Sequence, residues 1–263
     1  MLDKNDGQWI PLSKTEHANL ALKLPENFKF ARTINLVRLS FWDLLNSVSA
    51  IPILFKRVEE KIFLVGFLGL ETGQNLYLGK DGKWLGRYVP LALQSYPFKL
   101  LKLSNGKHVV LIKKDHLVSE TEGVRLFLDN GAESNLLKSR LELLKKIESG
   151  KTYTDRACQL INKLDLLKKY PISYSVKTKK KNMSGLLSID EEQFRQLTAV
   201  HLNQLQKNRA LDMIFAHFYS LTNFSILQKQ FSIVSNETTE LQKIGREIFE
   251  YEQMKEFNFD WSG

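Results

Sequence analysis

The sequence contains a single cysteine, Cys158, and no apolar run long enough to cross a bilayer. One cysteine cannot form an intramolecular disulfide, and it excludes a zinc site built on several thiolates. A membrane-spanning helix needs about 20 mainly apolar residues, whereas the most apolar segment, residues 62–70, is far shorter and contains two glycines. Residues 1–11 are polar and lack the apolar core of a secretory signal. These absences predict a soluble cytoplasmic protein without a membrane span.

The motifs of nucleotide, metal and serine chemistry are also missing. Gly66, Gly69 and Gly73 do not have the spacing of a dinucleotide fingerprint, and no glycine-rich loop ends in Gly-Lys-Ser/Thr. No Gly-x-Ser-x-Gly segment is present. Five histidines occur without a second histidine at helical spacing and without a His-x-Asp/Glu motif: His17, His108, His116, His201 and His217. The sequence therefore predicts no cofactor and no metal site.

The chain is basic, with 38 Lys and Arg against 29 Asp and Glu and a formal net charge of +9. Such a charge attracts acidic partners, anionic membrane surfaces or nucleic acid. One block is rich in lysine and forms the candidate polyanion contact: Lys177, Lys179, Lys180 and Lys181. A solvated loop is the first interpretation of this block, and a polyanion contact is the second. Nucleic acid is the less favoured partner because no recognisable nucleic-acid-binding motif accompanies the charge.

The first half of the chain has the pattern of antiparallel strands. Residues 1–30 show little periodicity and predict an irregular arm, whereas residues 31–132 predict a β-rich half. Two runs of β-branched and aromatic residues flank Glu59-Glu60, which predicts a hairpin. Asn105-Gly106 lies between two further strands and predicts a second hairpin, because both residues tolerate positive φ.

The character changes to helical spacing over residues 133–263. Leucines every three or four residues predict one amphipathic helix that stops at Gly150 and a second that follows it. Segments 173–176 and 185–189 predict a small β ribbon around the lysine block. Helices are predicted over three further ranges: 191–206, 210–231 and 236–256. The predicted fold class is α+β, with an antiparallel β-rich N-terminal half packed against a mainly helical C-terminal half as one integrated unit.

Aromatic residues, turns and one arginine are concentrated between residues 73 and 98. The favoured interpretation is a set of core aromatics framed by turns, with Arg87 pairing a carboxylate. The alternative is an aromatic-walled groove in which Arg87 binds a peptide carboxylate. The candidate binding residues, including one histidine further along the chain, are Asn75, Tyr77, Arg87, Tyr88, Tyr96 and His217.

Two further residues bear on catalysis. Cys158 lies within an amphipathic helical stretch, where a buried structural thiol is the favoured interpretation. His217 lies on an apolar segment and is interpreted as a core histidine in preference to a catalytic base. No catalytic residue is assigned.

An ordered series of short motifs carries a family resemblance. It begins with Gly-Gln-Asn-Leu-Tyr at 73–77 and Arg-Tyr-Val-Pro at 87–90, and it continues with Glu-Gly-Val-Arg-Leu-Phe at 122–127 and Ala-His-Phe-Tyr-Ser-Leu at 216–221. This series resembles the SapC family, from about residue 34 to residue 227. The resemblance implies an association with bacterial surface-array systems, and it carries over no catalytic residue.

Three functions follow as hypotheses. The first is an accessory, non-catalytic protein that binds a partner polypeptide during export or modification of bacterial surface proteins. The second is an enzyme acting on a peptide or sugar, with Arg87, Asp190 or His217 in its site. The third is nucleic-acid binding through the lysine block. A protein or peptide partner is favoured, and the sequence carries no signal for the oligomeric state.

Overall fold

The fold consists mainly of antiparallel strands followed by helices, so the predicted α+β class is confirmed. The computed structural model describes residues 7–176 and 179–234, and it leaves the side chains of residues 173–183 outside that description. The predicted helix over 236–256 lies outside the described residues.

Thirteen strands are described, each paired in antiparallel fashion. In chain order they are Trp9–Pro11 (β1), Leu20–Leu22 (β2), Leu36–Arg38 (β3), Ile53–Val58 (β4), Lys61–Phe67 (β5), Phe98–Lys102 (β6), His108–Lys113 (β7), Leu117–Ser119 (β8), Val124–Arg125 (β9), Leu167–Lys169 (β10), Ile172–Val176 (β11), Lys179–Met183 (β12) and Leu186–Ile189 (β13). They form two three-stranded sheets, β1-β7-β6 and β8-β2-β9, one five-stranded sheet, β10-β13-β4-β5-β3, and the β11-β12 hairpin.

The helices are mostly short, apart from one of 29 residues. They are Leu44–Ser47 (α1), Leu91–Gln94 (α2), Asn135–Lys163 (α3), Glu191–Arg195 (α4), Ala199–Lys207 (α5) and Ala210–Ser220 (α6), and residues 224–234 are also helical. Short 3-10 turns occur at Lys29–Ala31, Phe41–Asp43, Lys114–His116 and Leu221–Asn223. No helix within the described ranges is both long and apolar enough to span a membrane.

The main hydrophobic core lies on the five-stranded sheet. Both predicted hairpins are confirmed: β4 and β5 pair around Glu59, whose φ is +52°, and β6 and β7 pair around Gly106, whose φ is +81°. Phe55 and Phe67 of the central strands are fully buried, and α3 and α6 pack against this sheet. Burying each such side chain stabilises the fold by about 2 kcal/mol.

A second, smaller core lies between α3 and the β1-β7-β6 sheet. Phe98 of β6 and Ile112 of β7 meet Leu137 and Leu144 of α3, and all four side chains are buried. One long helix therefore contributes to both cores and connects the two main sheets.

The prediction of a helix end at Gly150 is wrong, because α3 runs from Asn135 through this residue to Lys163. Gly150 is buried, and a β-carbon built on it would lie 2.6 Å from Cδ1 of Trp42 and 3.0 Å from Cβ of Ser40. The glycine therefore lets the 3-10 turn that includes Trp42 approach the helix backbone.

Four other element predictions need correction. The helix predicted over 191–206 is divided, because Thr198 caps a new helix by accepting a hydrogen bond from the backbone N–H of His201. The helix predicted over 210–231 is interrupted by the 3-10 turn at Leu221–Asn223. Strand β13 joins the five-stranded sheet beside β4, and β11 pairs with β12 instead. Strands β1 and β2 lie within residues 1–30, where an irregular arm was predicted, and both depend on pairing with distant strands.

Replacing Gly150 with alanine should destabilise the protein by about 1–3 kcal/mol, because the added methyl group overlaps Trp42. Helix propensity alone predicts the opposite sign, since alanine is favoured over glycine by about 1 kcal/mol inside a helix. Chemical unfolding of Gly150→Ala, Trp42→Ala and the double variant measures the coupling between the two sites. A Gly150→Ala protein that is more stable than the wild type would contradict the close approach.

Candidate functional site

Asn75 and Tyr77 are buried parts of the scaffold. The side-chain amide of Asn75 donates to the carbonyl of Ala31 (3.0 Å) and its oxygen accepts from the backbone N–H of Tyr77 (3.0 Å). The Tyr77 hydroxyl donates to the carbonyl of Ala50 (2.9 Å), and its ring stacks on Trp84 at 5.5 Å. Burial raises the pKa of Tyr77. These contacts favour the interpretation of core aromatics framed by turns.

Tyr88 points inward to a buried carboxylate that sequence reasoning did not single out. Its hydroxyl donates to Oδ1 of Asp43 (2.7 Å), which also accepts from the backbone N–H of Leu91 (2.8 Å). Oδ2 of Asp43 accepts from the backbone N–H (2.8 Å) and the hydroxyl (2.9 Å) of Ser40. Burial, with the adjacent Asp43, raises the pKa of Tyr88. The available sequence signal was the capping-box spacing of Ser40 and Asp43.

Tyr96 anchors the first thirty residues to the rest of the fold. Its ring stacks on Phe30 with centroids 3.8 Å apart and meets Trp9 edge-on at 6.3 Å. Its hydroxyl lies 3.1 Å from Nε2 of His116, whose Nδ1 donates to the carbonyl of Lys23 (2.7 Å). The cluster is consequently a junction between chain segments.

The three residues of the enzyme hypothesis lie on different elements. His217 is fully buried in α6, where Nδ1 donates to the carbonyl of Ile53 (2.7 Å) and Nε2 accepts from the N–H of Ile189 (3.3 Å). Burial lowers the pKa of His217 to about 4, so the ring is neutral at pH 7. Asp190 caps α4 through the N–H of Glu192 (3.1 Å). Arg87 is exposed and has no ion pair within the described ranges.

The remaining sequence candidates are the lysine block and Cys158. Lys179, Lys180 and Lys181 lie on β12, while Lys177 lies outside the described residues. Cys158 is buried, and burial raises the pKa of its thiol to about 12, which suits an inert structural side chain. Among the described residues no group of three or more histidine, cysteine, aspartate or glutamate side chains is placed to hold a metal ion.

An open cleft lies between α3 and the β6–β7 hairpin and is hereafter the α3–β6 cleft. It consists of two adjoining cavities of about 550 and 640 Å³ that share lining residues such as His108 and Lys138. Its floor is aliphatic and includes Leu100, Val110 and Leu141. Volumes of this size fall in the range of ligand-binding clefts.

Charged side chains occupy the rim of the cleft. Glu148 accepts from Nζ of Lys151 (3.2 Å) and lies 3.5 Å from Nε2 of His108. Burial raises the pKa of Glu148, but Lys151 and His108 outweigh it and hold the pKa below its ordinary value. Glu142 is paired with Lys145 at 2.7 Å. Two of the three lining carboxylates are therefore already neutralised by partners within the protein.

Strand β6 borders this cleft with an open edge. The N–H of Leu103 donates to the carbonyl of Lys107 (2.8 Å) and that of Lys113 to Pro97 (3.1 Å), so these are hydrogen-bonded pairs of the β6–β7 ladder. Bonded and non-bonded pairs alternate in an antiparallel ladder.

Alternation along β6 directs the backbone groups of Phe98, Leu100 and Lys102 away from β7. The N–H of Phe98 donates to the carbonyl of Ser95 (2.8 Å). The backbone groups of Leu100 and Lys102 make no hydrogen bond to the described part of the chain. Because Leu100 also lines the cleft, an apolar recess and unpaired backbone groups meet at one place.

Comparison with known proteins identifies a family. The family model for SapC matches residues 12–227 of the chain. The chain belongs to the SapC family. The matched region contains α3, β6 and β7, and with them both walls of the cleft. No curated protein and no solved structure matches the chain.

The cleft was not predicted from the sequence. Its walls, residues 98–113 and α3, are separated along the chain and come together through the smaller core. The family motifs instead contribute buried residues, including Asn75, Tyr77 and His217. One usable signal was present: residues 98–113 carry four lysines and no acidic residue.

Proposed function

We propose that this SapC-family chain is an accessory, non-catalytic protein that binds an extended segment of a partner polypeptide along β6, in the α3–β6 cleft. The observation that carries the proposal is the open edge at Leu100 and Lys102 beside an apolar recess. A polypeptide in extended conformation supplies the matching backbone donors and acceptors and places alternate side chains in the cleft.

The setting of this function is proposed from the family alone. The association of the SapC family with bacterial surface-array systems supports a role in the export or modification of surface proteins. In such a role the bound segment belongs to a surface protein or to a protein that modifies one.

The geometry favours this function over the two alternatives. A peptide- or sugar-acting enzyme needs acid, base or nucleophile groups that reach one reacting atom, whereas His217 is buried and Asp190 caps a helix. Polyanion binding through Lys179 to Lys181 would use the β11–β12 hairpin, which lies outside the cleft lining.

Replacing Lys102 with proline tests the edge directly. Proline removes an N–H that points outward and leaves the ladder to β7 intact, so folding should be retained. Partner binding should weaken at least tenfold, because the complex loses about one backbone hydrogen bond. The measurement is the dissociation constant of the partner polypeptide recovered by affinity capture from the protein's own cells and then purified.

Lys102→Ala is the matched control, because it removes the same side chain and keeps the N–H. It should bind more tightly than Lys102→Pro. Hydrogen exchange supplies a second readout: the bound partner should protect the amides of Leu100 and Lys102. Equal affinities for the two variants, together with unprotected amides, would refute binding along β6.

A further inference from the structure

Most of the net charge of the protein is carried by the two chain segments that supply the walls of the α3–β6 cleft, although Lys99 and Lys113 of the hairpin contact Trp9 and do not line the cleft. Residues 98–113 carry four lysines and no acidic residue, and α3 carries seven lysines and arginines against three acidic residues. The two walls together therefore contribute +8 of the formal net charge of +9, from about a sixth of the chain. All the remaining residues together carry only +1.

The positive charge around the mouth of the cleft is largely unpaired. Lys138 lines both cavities, whereas Lys102 lies two residues after Leu100 on β6 and Lys107 lies at the β6–β7 turn. All three are exposed and form no ion pair with any described residue. Lys14 lines the cleft in the same unpaired state. The lining carboxylates Glu142 and Glu148 have cationic partners, which leaves Glu133 as the third. An occupant of the cleft consequently meets a surplus of cations.

We propose that the partner segment held in the α3–β6 cleft is acidic, with apolar residues that alternate with aspartate or glutamate. This inference rests on the proposed function and deepens it by naming the chemistry of the partner. In an extended segment, side chains alternate between two directions. The apolar set packs on Leu100, Val110 and Leu141. The carboxylates are attracted by the positive potential of the exposed lysines on the two walls.

The lining favours an acidic polypeptide over a nucleic acid. Single-stranded nucleic acid is held by aromatic side chains on which its bases stack. No tyrosine or tryptophan is among the residues that line the two cavities, and the one phenylalanine, Phe127, is 5% exposed and offers no face for stacking.

Three synthetic peptides test the inference. Each is ten residues long with leucine and valine at alternate positions, and the other positions hold glutamate, glutamine or lysine. The glutamate peptide should bind at least tenfold more tightly than the glutamine peptide at low salt, and the difference should shrink at high salt because the exposed charges are screened. The lysine peptide should bind most weakly. Fluorescence anisotropy of labelled peptides gives the dissociation constants.

Charge reversal locates the effect. Lys102→Glu and Lys138→Glu should each weaken binding of the glutamate peptide about tenfold and affect the glutamine peptide much less. Lys61→Glu is the matched control, since it makes the same charge change at an exposed site on β5, in the other main sheet. An equal loss of affinity in all three variants would show that the effect depends on net charge alone. It would overturn the claim that the glutamate peptide binds in the α3–β6 cleft.

The remaining outcomes separate this inference from the proposed function. Equal affinity for the glutamate and glutamine peptides, with protection of the Leu100 amide by both, overturns the acidic partner and leaves polypeptide binding in place. If neither the peptides nor the captured partner protects the Leu100 amide, both the acidic partner and the proposed binding along β6 are overturned. An oligothymidylate that competes for the cleft more tightly than the glutamate peptide overturns the choice of a polypeptide.

Discussion

Replacing Asp43 with asparagine should lower the free energy of unfolding by about 3 kcal/mol, although the two side chains have nearly the same shape. The carboxylate is 1% exposed and accepts four hydrogen bonds. Hydrogen bonds to a charged group contribute about 1.5–3 kcal/mol each, and a buried donor without a partner costs about 1–3 kcal/mol. Chemical unfolding monitored by tryptophan fluorescence measures the change.

The asparagine variant fails because both oxygens of Asp43 accept from backbone N–H groups. Oδ1 accepts from Leu91 and Oδ2 from Ser40, each at 2.8 Å. An amide presents one oxygen and one NH2 group, so either orientation sets a donor against a backbone donor. Neither backbone group can rotate away, whereas the hydroxyl groups of Ser40 and Tyr88 can.

Tyr88→Phe is the matched control for this network. It removes one of the four donors to Asp43 and leaves no donor unpaired, so it should cost about 1–2 kcal/mol, clearly less than Asp43→Asn. Asp43→Asn as stable as the wild type would show that the carboxylate is not held by these donors. The network joins the 3-10 turn at Phe41–Asp43 to α2. The hydrogen bond between Asp43 and Leu91 connects residues that are 48 positions apart in the sequence.

The parts of the fold that the sequence predicts are those set by local chemistry. Asn105-Gly106 and Glu59 mark two hairpins because a tight turn needs residues with positive φ, and the neighbouring residues alone decide this. The end predicted at Gly150 is wrong because that glycine serves a contact with Trp42, which is more than 100 residues away. Local sequence rules interpret a glycine as a turn or a helix end. They carry no information on a close approach by a segment that is distant in the sequence.

The candidate site illustrates the same division. His217 lies among apolar residues in the sequence, and its interpretation as a core histidine agrees with its full burial. That burial follows from the helical pattern of residues 210–221. The α3–β6 cleft has no such pattern, because Leu100 and Leu141 each look like ordinary members of an amphipathic element. What makes them a site is the unpaired edge of β6, which depends on the order of strands in the sheet.

His217 also explains how α6 is fixed on the five-stranded sheet. Strands β4 and β13 pair at Phe55 with Leu187, and continuation of that register would bring Ile53 opposite Ile189. The imidazole bridges these two residues, accepting from the N–H of Ile189 and donating to the carbonyl of Ile53. A neutral ring satisfies one donor and one acceptor at the point where the two strands separate.

Protonation of this ring should therefore destabilise the protein in a defined pH range. The pKa of His217 is lowered from 6.5 to about 4 by burial, so the unfolded chain binds the proton at a higher pH than the folded chain does. The free energy of unfolding is unaffected by this group above pH 6.5 and falls as the pH decreases toward 4. The loss amounts to about 3 kcal/mol at pH 4, at about 1.4 kcal/mol for each pH unit. Urea unfolding at half-unit intervals between pH 7.5 and pH 4 measures it.

The His217→Gln variant separates this effect from other titrations. Glutamine keeps one donor and one acceptor but does not titrate, so the stability difference between wild type and variant should narrow by about 3 kcal/mol from pH 7 to pH 4. Carboxylates with lowered pKa, such as those of Glu148 and Asp190, are common to both proteins and cancel. Proton NMR of the wild-type ring gives an independent readout, since His217 should titrate near pH 4. Titration of that ring near 6.5 would mean that the imidazole is solvated and does not bridge β4 and β13, whatever the stability of the variant.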